Sequence, residues 1–153
     1  MAGFRLEHLL KYNRSIEETR AVELAAELKI QSQIEQEIVK LQTQVIQQEE
    51  SLKNLWQFSQ PDIEIIKVQN LHIEHLKEQI NNAKQVIEKQ SQKVNEAREK
   101  LLRAKTKKKV VEHLKQKFIA QQKERQLKID RDNLDEVSTN RYIFQQQHGD
   151  RAN

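Results

Sequence analysis

The sequence predicts an all-α fold, a long two-stranded antiparallel coiled-coil helical hairpin, and three observations support this prediction. Leucine, isoleucine and valine recur at steps of three and four residues along most of the chain, which is the spacing of one helix face. Of the 153 residues, 33% are charged and 5% are aromatic, which suits a narrow apolar seam with solvated flanks. Gly occurs twice and Pro once, so few positions interrupt a helix. Disorder is the main alternative for so polar a chain, and the periodic apolar residues argue against it.

The predicted turn of the hairpin is Ser59–Asp62. Pro61 cannot continue a preceding helix, because it lacks an N–H group and its ring clashes with the previous turn. Asp62 places a carboxylate near the exposed N–H groups at the start of the second helix. We therefore expect helix one at about residues 4–58 and helix two at about residues 62–140.

Before the turn, the apolar residues of helix one fit a heptad repeat. Gln48 is the one polar residue among seven seam positions of its second half. Leu6, Leu10, Leu24 and Leu28 cannot all share that register, so the sequence predicts a local change in supercoiling. The apolar seam positions are Ile34, Ile38, Leu41, Val45, Leu52 and Leu55.

After the turn the heptad repeat is more regular, with nine apolar positions in ten. Sustained heptads with charged flanks are typical of a coiled coil. We expect a single hairpin unit over residues 1–144, followed by a disordered tail at residues 145–153. The predicted seam positions of helix two are Ile73, Leu76, Ile80, Ala83, Ile87, Gln90, Val94, Ala97, Leu101 and Ala104.

So short a turn requires antiparallel packing, and this fixes which residues face each other. Residue i should lie opposite roughly residue 121 − i, from the rise of an α-helix. This places Val45 opposite Leu76, Ile34 opposite Ile87 and Leu10 opposite Val111. Helix two outruns helix one, so the sequence predicts an unpaired overhang from about Phe118 onward.

The charge is uneven along the chain. Residues 98–131 contain 13 Lys and Arg against 4 acidic residues, whereas the whole chain has a net charge of only +4. A basic helix face can be simply solvated, bind an acidic protein or bind nucleic acid, and few aromatic residues for base stacking accompany it. Lys108 and Lys115 fall on seam positions, which indicates that the seam loosens there. The candidate partner-binding residues are Arg103, Lys107, Lys108, Lys109, Lys115, Lys117 and Arg125.

No motif for catalysis or cofactor binding is present, so we predict neither an enzyme nor a cofactor. The chain has no cysteine and no Gly-rich phosphate loop. His72 and His75, three residues apart, could form a metal pair, but polar residues flanking a seam are the simpler interpretation. No run approaches the roughly 20 apolar residues that span a bilayer, so we expect a cytoplasmic protein without direct membrane insertion.

Two aromatic clusters lie outside the seam. Trp56 and Phe58 are expected to pack across the turn and cover the hairpin tip, with partner docking as the alternative. Tyr142, Ile143 and Phe144 form an apolar triplet in a polar context, and it is either inert or a short docking element.

Several stretches resemble the flagellar export protein FliJ family. They include the opening Phe4–Tyr12, the stretch Asn70–Leu76 and the ending Leu134-Asp135-Glu136. The most similar stretch is Ala97–Lys117, with its basic run at residues 107–109. The likeness covers most of the chain in order.

The resemblance implies a cytosolic coiled-coil stalk of the flagellar type III protein export apparatus, peripherally associated at the inner membrane and serving motility. It implies three partners: the hexameric export ATPase, the membrane protein of the export gate and the export chaperones. We expect a monomer that does not bind nucleic acid. The alternatives are the stalk of a virulence-type secretion system and a nucleic-acid-binding coiled coil.

Overall fold

The structure, a computed structural model, describes residues 3–58, 60 and 62–151. Over these residues it contains two helices and no strand: α1 spans Glu7–Phe58 and α2 spans Ile63–Gly149. Contacts divide the chain into two compact units. Unit 1 comprises Met1–Arg14 and Thr106–Asn153, and unit 2 comprises Ser15–Lys105.

Unit 2 is an antiparallel pair of helices, which confirms the predicted fold class. Val45 of α1 packs in one cluster with Ile73, Leu76 and Ile80 of α2, and each of these side chains is at most 8% exposed. Glu49 of α1 pairs with Lys77 of α2, and Glu27, earlier in α1, contacts Gln90, which is later in α2. The chain directions are therefore opposite.

The other seam positions of unit 2 also lie between the helices. Val94, Ala97 and Ala104 are buried. The half-buried positions of the predicted seam in this unit are Ile34, Ile38, Leu41, Leu52, Leu55, Ala83, Ile87 and Leu101.

Polar residues interrupt this seam without breaking it. The Gln90 side chain is 6% exposed, and its Nε2 donates to the Glu27 backbone carbonyl at 3.0 Å and to the Glu27 carboxylate. These bonds satisfy an amide that would otherwise be costly to bury. Near the other end of unit 2, the Gln69 Oε1 atom is buried and lacks a hydrogen-bond partner among the described residues.

The four early leucines of the chain differ in how deeply they are buried. Leu24 is half-buried in unit 2 and Leu10 is fully buried in unit 1. Leu6 and Leu28 are each 37% exposed. Leu10, Leu24 and Ile38 are 14 residues apart, so one heptad register includes all three. Leu28 falls outside this register, and Leu6, although it lies four heptads before Ile34, precedes the start of α1.

Within the predicted turn, Ser59 and Pro61 lie outside the described residues, and Gln60 and Asp62 are not helical. Asp62 begins α2 as expected: its Oδ1 accepts from the Glu64 N–H at 3.3 Å, and its backbone carbonyl accepts from the Ile66 N–H at 3.2 Å. The side chain thereby satisfies one of the donors that a helix N-terminus leaves unpaired.

The expected packing of Trp56 and Phe58 across the tip is wrong. Trp56 is 62% exposed and Phe58 is 83% exposed. Leu55 is the half-buried seam residue of this turn, and Trp56 follows it directly, about 100° further around the helix. The last turn of α1 therefore presents both aromatic side chains outward.

The second helix is longer than predicted, because it continues past residue 140 to Gly149. Residues 145–149 are thus helical where the sequence predicted a disordered tail. No Pro or Gly stands between Ile63 and His148, so the backbone meets no helix breaker. Local contacts continue as well: the Gln146 Nε2 donates to the Tyr142 hydroxyl at 3.0 Å, and the Phe144 and His148 rings lie 4.0 Å apart.

Candidate partner-binding site

The candidate site is the part of the basic stretch that lies in unit 1, on residues 106–131 of α2. This segment has 9 Lys and Arg and 3 acidic residues. Arg103 belongs to unit 2, where its guanidinium lies 4.0 Å from the Glu99 carboxylate one helical turn away. The other six candidate residues lie on unit 1.

Four of these six side chains are exposed: Lys107, Lys109, Lys117 and Arg125. Among the described residues, no carboxylate lies within ion-pair distance of these four cations. Exposed basic groups at this density create a positive potential that attracts acidic partners and accelerates their encounter.

Lys115 differs, because it lies in the seam of unit 1 against α1. It is half-buried, and its Nζ lies 2.9 Å from one Glu7 carboxylate oxygen and 3.2 Å from the other. The hydrogen bond from Lys115 lowers the pKa of the Glu7 carboxyl below its ordinary value of 4.5, and the charges of Lys115, Lys11 and Arg14 add to this. Desolvation of the Glu7 carboxyl raises its pKa, but by less than the hydrogen bond and the neighbouring charges together lower it.

Lys108 is also half-buried at a seam position. One heptad position further, Val111 is 5% exposed. The seam was predicted to loosen at the two lysines, and both are half-buried there. The charge of Lys115 is neutralised by Glu7.

An aromatic contact and a second ion pair flank this part of the seam. The rings of Phe4 and Phe118 lie 5.6 Å apart at a tilt of 48°. On one side of the seam, the Arg14 guanidinium lies 4.0 Å from the Glu112 carboxylate. The sequence placed Phe118 at the start of the unpaired overhang, but Phe118 packs against Phe4, so the overhang begins at residue 119. Glu7 was not recognised as the partner of Lys115, because it lies on an otherwise apolar seam.

A shallow groove on the outer side of α2 in unit 1 adds apolar surface to the site. It has a volume of about 420 Å³. Val110 and Leu114 are 56% and 43% exposed. The lining residues are Thr106, Lys109, Val110, His113 and Leu114.

Beyond Phe118, every residue of α2 from 119 to 149 is exposed, as the predicted overhang requires. Its apolar residues lie mainly on one face, with Leu127, Leu134, Val137 and Phe144 at helical spacing and 56% to 67% exposed. Tyr142 and Ile143 point to other sides of the helix, since consecutive residues are 100° apart. The triplet at residues 142–144 is therefore not a single patch, and only Phe144 extends the apolar face.

The described residues contain neither a metal cluster nor a membrane-spanning segment. No group of three or more His, Cys, Asp or Glu side chains among them could hold an ion. His75 instead contacts the Gln79 side-chain amide at 3.2 Å. Neither α1 nor α2, as described, has a stretch long and apolar enough to cross a bilayer.

Comparison with known proteins gives one match. The family model described as flagellar FliJ protein matches residues 1–147, which is nearly the whole chain. No curated protein and no solved structure matches.

Proposed function

Because the chain belongs to the flagellar FliJ protein family, a non-catalytic component of flagellar type III protein export, we propose that it is the coiled-coil stalk that links the export ATPase ring to the export gate and the export chaperones. Family membership favours the flagellar system over a virulence-type system and over nucleic-acid binding. The hexameric ATPase is the partner for which unit 1 offers the clearest support.

The single observation that carries the ATPase proposal is the exposed overhang of α2, which continues the basic stretch without a partner helix. All residues from 119 to 149 are exposed, and residues 106–131 have a net charge of +6. An isolated helix of this kind is marginal in water, so an enclosing partner would stabilise it. A ring lumen with acidic loops would supply both enclosure and opposite charge.

Unit 2 offers a separate apolar surface for the gate protein. Trp56, Phe58 and Leu71 are 62%, 83% and 64% exposed. Exposed aromatic side chains are frequent binding anchors, which supports a docking role for this end of the helix pair. We assign the gate to this surface as part of the same proposal, with the chaperones bound elsewhere on unit 2.

The ATPase proposal is tested by reversing the four exposed cations of unit 1: Lys107→Glu, Lys109→Glu, Lys117→Glu and Arg125→Glu. Lys108 and Lys115 are left unchanged because they lie in the seam, so the helix pair stays intact. A single exposed charge contributes less than about 1 kcal/mol, but eight units of charge change together should weaken binding to the purified ATPase by more than about tenfold. Raised salt should weaken wild-type binding similarly.

The matched control reverses four exposed lysines of unit 2, namely Lys29, Lys40, Lys53 and Lys84. This variant has the same net charge as the first, so an effect of total charge alone would weaken both equally. Binding that stays unchanged in the unit 1 variant, with helicity intact by circular dichroism, would reject the basic stretch as the docking site.

A further inference from the structure

The N-terminal segment at residues 4–14 covers one face of α2 in unit 1. The Phe4 and Phe118 rings are in tilted contact, Glu7 pairs with Lys115, and Leu10 is fully buried at the position that the rule for facing residues places opposite Val111. The covered face of α2 is thus a stripe at three- and four-residue spacing that alternates cations with apolar residues: Lys108, Val111, Lys115 and Phe118.

This stripe is held by few apolar contacts. Among the described residues of unit 1, the buried apolar ones are Leu10 and Val111, while Phe4 and Phe118 are half-buried. Asn13, the next seam residue of α1, is polar and 8% exposed. An exposed ion pair such as Glu7–Lys115 contributes little, and the first turns of a long helix open more readily than its interior.

We propose that residues 4–14 are a releasable clip, which occupies a docking face on α2 in the free protein and is displaced when the ATPase binds. The clip shows what chemistry the face accepts: an aromatic residue against Phe118, a carboxylate against Lys115 and an aliphatic residue against Val111. The displacing partner is therefore a helix with an aromatic residue, a carboxylate and an aliphatic residue at the spacing of Phe4, Glu7 and Leu10. The identity of this partner rests on the proposed function.

Release of residues 4–14 changes the charge that the candidate site presents. Lys115 is neutralised by Glu7 while the clip is bound, and it becomes available to an acidic partner only after release. While it is bound, the clip covers Lys115, Val111 and Phe118, and these residues become accessible only when a partner displaces it.

The first experiment locks the clip in the full-length chain with Leu10→Cys and Val111→Cys. The natural chain has no cysteine, so a single disulfide can form. The clip account predicts that the oxidised variant binds the purified ATPase at least about tenfold more weakly than the same variant after reduction. Equal affinity of the two forms would overturn release, and failure of the two thiols to join under oxidation would contradict the closed clip.

The second experiment loosens the clip with Glu7→Gln, and Glu49→Gln is the matched control, because Glu49 forms an ion pair between helices in unit 2. Glu7→Gln should raise ATPase affinity by up to about fivefold, and the control should not. A loss of affinity in Glu7→Gln would overturn the clip.

Amide hydrogen exchange of the free chain separates this inference from the proposed function. Without any partner, residues 7–14 should exchange at least about tenfold faster than residues 41–52, and Glu7→Gln should accelerate only the former. If the exchange result holds but neither wild type nor variants bind the ATPase, the proposed function is wrong and the clip stands without that partner. Equal protection of residues 7–14 and 41–52 in the free chain would overturn the clip, whether or not the ATPase binds.

Discussion

The two units show helix pairing of different strength within one chain. Unit 2 packs Val45 against Ile73, Leu76 and Ile80, all of them buried. Unit 1 relies on Leu10 and Val111, with ion pairs and half-buried lysines around them. Apolar burial contributes roughly 25 cal/mol per Å², whereas exposed ion pairs contribute little, so unit 2 supplies stability and unit 1 supplies an adaptable surface.

This comparison assigns different roles to the same heptad repeat. The aliphatic seam of unit 2 holds its two helices together. The seam of unit 1, which mixes apolar residues with lysines, allows its helices to separate when a partner competes for one of them. The exposed charges lie beside the weaker seam. A docking site that must form and dissolve is expected in the region of lower local stability.

The largest effect is expected from Ile80→Asp in unit 2. Ile80 is 8% exposed within the core cluster, and burying a carboxylate there without a partner should lower the free energy of unfolding by about 3–5 kcal/mol. Ile87→Asp should have a smaller effect, because Ile87 is half-buried. Thermal melts followed by circular dichroism measure both, and the exposed Glu88→Asp serves as the control; a melt of Ile80→Asp that matches wild type would disprove the register.

Leu10→Ala should have an intermediate and local effect. The side chain is fully buried, so its truncation removes about 2–3 kcal/mol, but from unit 1 only. Hydrogen exchange should accelerate at residues 7–14 and stay unchanged at residues 41–52. Equal acceleration in both segments would show that the two units unfold together and would contradict a lower local stability of unit 1.

Acid should weaken the N-terminal contact of unit 1 through Glu7. Its pKa is lowered by the hydrogen bond from Lys115, so the contact is stabilised fully above the ordinary value of 4.5 and loses this contribution as pH falls through the lower pKa of the folded state. An NMR titration of the Glu7 carboxyl carbon should give a midpoint below 4.5, together with loss of the Phe4–Phe118 ring contact. A midpoint at or above 4.5 would contradict the ion pair.

The smallest effect on stability is expected from Trp56→Ala and Phe58→Ala. Both side chains are mostly exposed, so each change should alter the free energy of unfolding by less than about 0.5 kcal/mol. Denaturant melts test this directly. A loss of several kcal/mol would restore the earlier expectation that the two rings pack across the tip.

The sequence predicted the helices and their pairing because both follow from local rules. Heptad spacing located the seam, and the Pro61 break with the Asp62 cap located the start of α2. Side-chain detail was less accessible. The outward direction of Trp56 depends on the exact phase of one helical turn, and the pairing of Glu7 with Lys115 depends on two side chains far apart in sequence.

The end of α2 was missed for a related reason. Polar composition after residue 140 suggested disorder, but the absence of Gly and Pro up to His148 permits the backbone to stay helical. Function was reached through family resemblance, since a seam of Leu, Ile and Val is common to all coiled coils and specifies no partner.

Hydrogen exchange of the full chain with and without saturating ATPase tests the central claim most directly. Docking through the basic stretch predicts strong new protection at residues 119–149, which are exposed in the free chain, and slower exchange at residues 106–118. Protection confined to unit 2, with residues 119–149 exchanging as fast as in the free chain, would contradict the account.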